Sequence, residues 1–500
     1  MNLFATKSIG ALQAEADAGG ERALKRTLGP LNLLTLGIGA IVGAGIFVLT
    51  GVAAALHAGP AVAVSMVLAG VGCGFAGLCY AEMASAVPVA GSAYTYSYAT
   101  LGELLAWIIG WDLILEYGMG AATVGVGWSA TFVSFLDLVG IHLPASLTNS
   151  PLGYCVAAQV AQGVAGCSAV GWHLTGAIVN LPAVFIILAI SGILLVGIKE
   201  SANFNSAMVL VKAGVLVLFV AFGAAYINVD NWKPFIPPNT GEWGTYGWSG
   251  VLRGAGLIFF AFIGFDAVST AAQEAKNPKK DMPIGILGSL FICTILYVAV
   301  SVVLTGMMSY KELNVPSPVI MVVERIPQLA WFRPVVTIGA VLGLGSTILV
   351  MLLGQTRVFY SMSRDGLLGP WAGKIHQKFR TPYISTIYTG IAVALFTGLL
   401  PIQILGQLVN IGTLLAFVLV CGGVWVLRRT RPDLDRPFRT PLVPLVPILG
   451  MLCCFGLMAT LPFDTWVRLF VWLVIGFVIY FAYGRKHSTL QKEIQAGAPK

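Results

Sequence analysis

The chain has 500 residues, of which 57% are hydrophobic and only 10% are Asp, Glu, Lys or Arg. Soluble globular chains carry about 25% charged residues, so a soluble protein of this length could not cover its surface. The mean hydropathy of +0.86 and the 59 glycines fit membrane helices that pack through small residues. Continuous apolar blocks exclude an outer-membrane barrel, whose strands alternate polar and apolar residues.

Twelve apolar blocks are long enough to cross a bilayer, since a spanning helix needs about 20 mostly apolar residues. The predicted spans are residues 32–56, 62–86, 103–135, 177–197, 202–226, 248–272, 284–308, 334–361, 384–400, 406–427, 441–461 and 464–484. The sequence therefore predicts an all-α polytopic domain over residues 30–484. Residues 1–29 are predicted to form an amphipathic N-terminus, and residues 485–500 a polar tail.

The basic residues predict the orientation of these spans. Twelve spans place both termini on one side of the membrane, and most Lys and Arg residues fall in the segments on that side. By the positive-inside rule both termini are cytoplasmic, in a multi-pass protein of the cell membrane. The net charge of +8 then reflects topology, and contact is expected with membrane lipid but not with nucleic acid.

The cysteines and the catalytic motifs narrow the classes of function. Cys155 and Cys167 are the two cysteines of the predicted outer loop 136–176. They either form a disulfide or are two free thiols. No Cys or His spacing suggests a metal site. The sequence contains no Walker, His-x-x-x-His or Gly-x-Ser-x-Gly motif, so neither an enzyme nor a bound cofactor is expected.

The first predicted span contains Gly43 and Gly45 about midway along its length. Such glycines either form a small-residue packing face or allow an extended break, which a bilayer tolerates only where it lines a cavity. The sixth span repeats the pattern, with Gly264 near its centre and Asp266 just beyond. We therefore expect the first and sixth helices to be discontinuous.

The distance between the two interrupted spans indicates a repeat. They lie five spans apart and so enter the membrane from opposite faces, which is typical of an inverted repeat. The predicted halves are residues 32–226 and 248–427, followed by two extra helices within 441–484.

Two broken helices that cross at mid-membrane would form a binding site for a zwitterion. A break leaves free amides with partial positive charge and free carbonyls with partial negative charge. An α-amino acid matches both, with its carboxylate on amides and its ammonium on carbonyls. The amides expected to hold the carboxylate are those of Gly43, Ala44 and Gly45. The carbonyls expected to hold the ammonium are those of Ile41, Phe260, Ala261 and Ile263.

Several further motifs extend over nearly the whole chain, from about residue 25 to 490. They are Cys79-Tyr80-Ala81-Glu82, Pro88-Val89-Ala90-Gly91-Ser92-Ala93-Tyr94, Trp111-Asp112-Leu113-Ile114-Leu115-Glu116-Tyr117, Gly197-Ile198-Lys199-Glu200-Ser201, Ile263-Gly264-Phe265-Asp266, Asn277-Pro278 and Ser363-Arg364-Asp365-Gly366. With the glycine motif of the first span, they make the chain resemble the amino acid, polyamine and organocation superfamily, in its cationic amino acid transporter branch.

This resemblance implies a LeuT-like fold of twelve transmembrane helices and amino acid transport by alternating access, typically without sodium. It also implies that the substrate backbone contacts Ile41, Ala44, Gly45, Phe260, Ala261 and Ile263. Bacterial relatives often have Thr where this chain has Ala44, so here the amides hold the carboxylate without a hydroxyl. Met351 resembles a position that bounds the pocket for the substrate side chain.

The resemblance further implies a coupling role for Lys199. In relatives, the lysine of the Gly-x-Lys-Glu-Ser motif reaches the first span near the Gly39 carbonyl, and Ser346 and Thr347 of the eighth. There its ammonium replaces the sodium ion of sodium-coupled transporters. A desolvated lysine could release its proton, which makes Lys199 the candidate coupling group. The alternative is an ordinary loop lysine. Lys212 is expected to snorkel or to pair within the bundle.

The remaining charges leave the substrate open between cationic and small neutral amino acids. Glu116 and Asp266 either pair with neighbouring donors or attract the second positive charge of a cationic substrate. Met351 would limit side-chain length. Arg253, about two turns outward of Phe260, would repel a cation if it faced the vestibule.

Proton-coupled uptake is the predicted mechanism, with amino acid exchange, sodium symport and a channel as alternatives. A channel is disfavoured because the sequence shows no ring of charges and no repeated filter loop. Sodium symport requires that Lys199 lie elsewhere. A small accessory membrane subunit is left open.

Overall fold

A computed structural model describes residues 2–12, 26–155, 171–315, 317–461 and 463–496. Within these ranges the side chains of 198–200, 403, 407 and 408 are outside the description. The chain is predominantly helical. The helices of seven or more residues are α1 Pro30–Ile41, α2 Val62–Ala86, α3 Ala93–Thr100, α4 Glu103–Leu138, α5 Leu181–Val196, α6 Ile198–Gly223, α7 Gly247–Ile258, α8 Pro278–Met307, α9 Pro318–Arg325, α10 Arg333–Arg364, α11 Tyr383–Leu399, α12 Ile402–Thr430, α13 Leu445–Ala459, α14 Phe463–Ile479 and α15 Thr489–Gln495.

The helices have the length and composition of membrane spans. In the described part of the chain, eight helical segments are long and apolar enough to cross a membrane, and three shorter apolar helices are α5, α11 and α13. One of the eight, Pro30–Ala86, includes the first two predicted spans. Every predicted span overlaps a helix. The chain is therefore a polytopic helical membrane protein.

Helix ends differ from the predicted spans where local capping decides them. Helix α8 begins at Pro278 because proline, which lacks an amide proton, is suited to the first turn of a helix. Helix α5 begins later than predicted, after Asn180, whose side chain accepts a hydrogen bond from the Ala183 amide at 3.3 Å. Pro278 and Asn180 are not apolar membrane-span residues, so a prediction that counts apolar residues does not detect these helix starts.

The two interruptions predicted from glycine are present. Helix α1 ends at Ile41, and the chain becomes helical again as a π-helical turn over Gly45–Leu49. Helix α7 ends in a 3₁₀ turn over Phe259–Phe262, and a short helix resumes at Ala267–Thr270. The two breaks face each other inside the bundle.

A small hairpin lies in the predicted outer loop. Strands β1 Leu152–Cys155 and β2 Gly171–Leu174 pair antiparallel, with Cys155 opposite Gly171. Cys155 is disulfide-bonded. Its predicted partner, Cys167, lies outside the described residues. The thiols described as free are Cys73, Cys79, Cys293, Cys421, Cys453 and Cys454.

The two ends of the chain meet on one face of the molecule. The Glu103 amide, at the start of α4, donates to the Ala5 carbonyl at 3.0 Å. The side-chain amide of Gln491 in α15 donates to the Asn2 carbonyl at 2.8 Å. Both termini therefore lie on the same side of the helical bundle. Residues 13–25 of the predicted amphipathic N-terminus are outside the described residues.

A buried carboxylate joins the end of α2 to the segment between α12 and α13. Glu82, which is 1% exposed, accepts two hydrogen bonds from Arg428, each 2.8 Å long. Arg436 Nε lies 3.2 Å from the same carboxylate, and the Thr440 amide donates to it at 2.8 Å. Two arginines and an amide thus balance one buried charge, which stabilises a buried ion pair better than a single partner does.

We predict that Glu82→Gln lowers the free energy of unfolding by about 3 kcal/mol, because two arginines lose their buried counter-charge. The matched control is Glu312→Gln, since Glu312 pairs with Arg325 at an exposed site worth about 0–1 kcal/mol. Thermal unfolding in detergent measures both variants. Equal midpoints for the two variants would contradict the role assigned to Glu82.

Candidate functional site

The first interruption frees backbone groups in the centre of the bundle. The Val42 amide makes the last regular bond of α1, to the Ile38 carbonyl at 3.0 Å. After Val42 the chain leaves the helix, so the carbonyls of Gly39 and Val42 have no amide partner four residues ahead within α1. Side chains from other helices must then satisfy them, because no water reaches such groups in a bilayer interior.

A lysine supplies that partner. Lys212 lies in α6 and is fully buried. Its Nζ donates to the Gly39 carbonyl at 2.8 Å, to the Val42 carbonyl at 2.7 Å and to Ser346 Oγ at 2.6 Å. Thr347 Oγ1 lies 2.9 Å from the Gly39 carbonyl and 3.1 Å from that of Val42. With the Gly343 carbonyl at 3.4 Å, four oxygen atoms surround the ammonium and use all of its donor capacity.

The place that the sequence analysis expected for the Lys199 ammonium is occupied by another lysine. The ammonium beside Gly39 and Ser346 belongs to Lys212, thirteen residues further along the same helix, at about 20 Å. The side chain of Lys199 is outside the described residues. Of the two alternatives given for Lys212, the structure shows pairing within the bundle and not snorkelling. The signal that could have identified it is an ionisable residue in the middle of an apolar span, which is costly unless it has partners.

The second interruption approaches the first closely. A Cβ atom added at Gly45 would lie 2.3 Å from the Cα of Ala261, so only glycine allows this contact. Gly264 has a φ of +116°, which glycine adopts without strain, and a Cβ there would lie 2.5 Å from that of Ala40. The two glycines therefore let the broken helices touch along their backbones.

Tyr297 of α8 joins the two interruptions. Its hydroxyl lies 2.6 Å from the Ile41 carbonyl and 3.1 Å from the Ala261 carbonyl. Both carbonyls belong to the set predicted to hold a substrate ammonium. A carbonyl oxygen has two lone pairs, so each of these two carbonyls can accept a second hydrogen bond besides the one from the Tyr297 hydroxyl. A substrate ammonium would therefore share the carbonyls with Tyr297. Sequence reasoning missed Tyr297, although a buried Tyr hydroxyl usually needs a partner.

A small cavity of about 10 Å³ lies between the two interruptions, so the space between them is nearly filled in this structure. Its walls are backbone and apolar side chains, apart from the hydroxyl of Thr347. The lining residues are Ala40, Ile41, Gly43, Ala44, Gly45, Gly120, Val124, Phe260, Ile263, Thr347, Met351 and Val409. None of these lining residues, all from the described part of the chain, is ionisable. The cavity is therefore lined by the backbone dipoles of the two interruptions on one side and by apolar side chains on the other.

Most of the predicted binding residues line this cavity, and Met351 lies there too. Ala261 does not line it, because its backbone packs against Gly45. Gly120, Val124 and Val409 were not predicted, since small and branched residues in apolar spans carry no sequence signal of their own.

The two predicted carboxylates lie outside the cavity lining. Asp266 accepts from the Tyr117 hydroxyl at 2.5 Å and from the Gly264 amide at 3.2 Å, so it stabilises the second interruption. Glu116 is buried one helical turn before Gly120 on α4. Neither carboxylate is placed to meet a substrate side chain in the cavity as it stands. Of the two roles considered for Asp266, pairing with neighbouring donors fits the structure better than attracting the second positive charge of a cationic substrate.

Arg253 has partners of its own. Its guanidinium donates to the Thr460 carbonyl beyond α13 and lies 6.0 Å from the ring centre of Trp243. The positive charge is therefore engaged at the junction with α13.

A second ion pair lies at the far end of α10. Arg357 Nη2 donates to Glu274 Oε1 at 2.8 Å, and the two side chains are 2% and 0% exposed. Glu274 follows the second interruption, and its carbonyl accepts from the Leu28 amide just before α1 at 2.9 Å. The pair thus links both discontinuous helices to α10.

The family model described as amino acid permease matches residues 28–481. The chain is 49% identical over 492 residues to the branched-chain amino acid permease BcaP of Bacillus subtilis (strain 168), covering 98% of this chain and 99% of the relative. It is 43% identical over 491 residues to the methylthioribose transporter of the same organism, covering 98% and 100%. It is 35% identical over 414 residues to the vacuolar cationic amino acid transporter 4 of Arabidopsis thaliana, covering 83% and 65%.

We predict that Gly45→Ala lowers the thermal unfolding midpoint, because the added methyl overlaps the Ala261 backbone and overpacking costs about 1–3 kcal/mol. Gly74→Ala is the matched control, since nothing lies within 4 Å of a Cβ there and the change removes a glycine from a helix. Differential scanning fluorimetry in one detergent compares them. A Gly45→Ala midpoint as high as that of Gly74→Ala would rule out the close contact.

Proposed function

The chain belongs to the amino acid permease family, and we propose that it carries L-amino acids across the plasma membrane by secondary active transport. It is a transporter rather than an enzyme. The observation that carries the proposal is the cavity between two facing helix interruptions. Free amides at Gly43–Gly45 suit a carboxylate, and carbonyls at Ile41 and Phe260 suit an ammonium.

We propose the twelve-helix, LeuT-like arrangement as the framework for alternating access. The two interruptions lie at corresponding places of the halves 32–226 and 248–427, as an inverted repeat requires. The buried Arg357–Glu274 pair links the discontinuous helices to α10. Opening toward the side of the chain termini would separate that pair. The excess of Lys and Arg on that side supports a cytoplasmic location for both termini.

For the substrate we propose branched-chain aliphatic amino acids. The side-chain end of the cavity is bounded by Val124, Met351 and Val409, which favour an apolar group. Glu116 and Asp266 lie outside that lining. The name of the BcaP relative agrees with this class. Cationic amino acids and methylthioribose, named for the other relatives, are the competing substrates.

For the coupling ion we propose the proton, bound and released at Lys212. Its ammonium occupies a site of three carbonyls and a hydroxyl, the ligand set that would suit a small cation. A fixed positive charge there disfavours sodium at the same oxygens. Loss of the proton would leave the carbonyls of Gly39 and Val42 short of donors and would favour movement of α1. Exchange without net proton movement is the alternative.

We predict that proteoliposomes take up Leu, Ile and Val at least about a hundredfold more efficiently than Lys or Arg, because a charge in an apolar pocket costs several kcal/mol. A labelled panel that includes methylthioribose measures this, with pH and sodium gradients imposed separately. Preferential uptake of Lys or of methylthioribose would contradict the substrate class. Uptake that never saturates would indicate a channel.

We predict that Lys212→Met abolishes uptake driven by a pH gradient, because the methionine fills the space but carries no proton. Counterflow of leucine between equal pH values should persist at a reduced rate. The matched control is Lys199→Met in the same helix, which should keep proton-driven uptake. If Lys199→Met loses the response and Lys212→Met keeps it, the coupling site belongs to Lys199.

A further inference from the structure

A second cavity, larger than the first, lies on the outer side of the bundle. It encloses about 650 Å³ between α4, α10, α11 and α14. We call it the lateral crevice and define it by Met119, Gln355, Thr389, Ala392, Val471 and Trp472, which are among its lining residues. Its walls are almost entirely apolar. Neighbouring side chains on the outer faces of α11 and α14, such as Ile391 and Phe470, are exposed, so the crevice adjoins the surface that meets lipid.

Besides Arg468, which has an interaction of its own, two polar side chains interrupt this apolar lining. Gln355 of α10 is 1% exposed, and Thr389 of α11 is 5% exposed. Among the residues that the structure describes, neither the Gln355 amide nor the Thr389 hydroxyl has a hydrogen-bond partner. A buried amide without a partner costs about 1–3 kcal/mol, so two such groups at one cavity indicate a ligand with a polar atom at that point.

The shape of the crevice fits an elongated apolar molecule. Its lining follows α11 from Tyr388 to Leu400, a rise of about 18 Å along the helix axis. Tyr388 and Trp371 pack edge to face at 5.2 Å near one end, and both line the cavity. Aromatic residues of this kind are typical of the boundary between headgroups and acyl chains. Gln355 and Thr389 belong to that same end of the crevice, since Thr389 follows Tyr388 and Gln355 lies one helical turn before Phe359, which packs against Trp371.

We propose that the lateral crevice binds one acyl chain of a glycerophospholipid, with an ester group of that lipid at Gln355 and Thr389. Ester oxygens accept hydrogen bonds from the Gln355 amide and the Thr389 hydroxyl, while the chain extends along α11 toward Leu400. A peptide segment fits less well, because its many backbone groups would meet an apolar wall. The proposal depends on the chain being a membrane protein and not on the proposed substrate or coupling ion.

The site has a structural consequence for the substrate cavity. Met119 and Gln355 line the crevice, whereas Gly120 and Met351 line the substrate cavity on the same two helices. Helices α4 and α10 therefore form a common wall between lipid and substrate. A bound acyl chain would support this wall from outside during transport.

Native mass spectrometry of the purified, delipidated full chain, titrated with palmitoyl-oleoyl phosphatidylethanolamine, tests the proposal. The wild type should retain one phospholipid more tightly than the rest. Ala392→Trp should lose it, because the indole fills the crevice. Ile391→Trp, on the adjacent exposed position outside the lining, should retain it.

A second variant keeps the crevice open and removes only its polar groups. Gln355→Leu with Thr389→Val should require at least about tenfold more phospholipid for half occupancy, as expected for the loss of two hydrogen bonds. Thermal midpoints of all variants verify folding. Equal retention of phospholipid by the wild type and Ala392→Trp would overturn the proposal, and so would binding of detergent alone. The proposal would also be overturned if Ala392→Trp lost a second copy of the chain or a copurifying polypeptide and not a lipid. Unchanged affinity in the double variant would also overturn it.

Discussion

The structure depends on how the free carbonyls at the end of α1 are satisfied. A helix that stops in the middle of a bilayer leaves oxygens that water cannot reach, and each costs several kcal/mol without a donor. Lys212 and Thr347 supply the donors from α6 and α10. The interruption, and with it the cavity, is stable because three helices share one set of hydrogen bonds.

The same constraint connects structure to transport. Lys212 ties α1 to α6, Tyr297 ties α1 and the second interruption to α8, and the Arg357–Glu274 pair ties the second interruption to α10. The substrate cavity lies among these three contacts. A change in the charge of one contact, or binding of substrate beside it, therefore alters the stability of the other two. Glycine permits the contact between the interruptions, since Gly45 leaves no space for a side chain against Ala261.

The sequence predicted what depends on composition and local pattern. Long apolar blocks gave the positions of the helices, and central glycines gave both interruptions, because only glycine adopts the backbone at Gly264 without strain. Helix rotation was not predictable. Glu116 lies one turn from Gly120 yet outside the cavity lining, and the lysine found at the Gly39 carbonyl is Lys212. Such placements depend on packing between distant helices, which no local motif encodes.

The most direct test of the central role of Lys212 is an experimental structure of the transporter with leucine bound, determined in sodium-containing buffer. We expect the leucine carboxylate on the amides of Gly43–Gly45 and the Lys212 ammonium on the carbonyls of Gly39 and Val42. A sodium ion at those carbonyls, with the Lys212 side chain turned away, would contradict the account. So would a substrate bound away from the two interruptions.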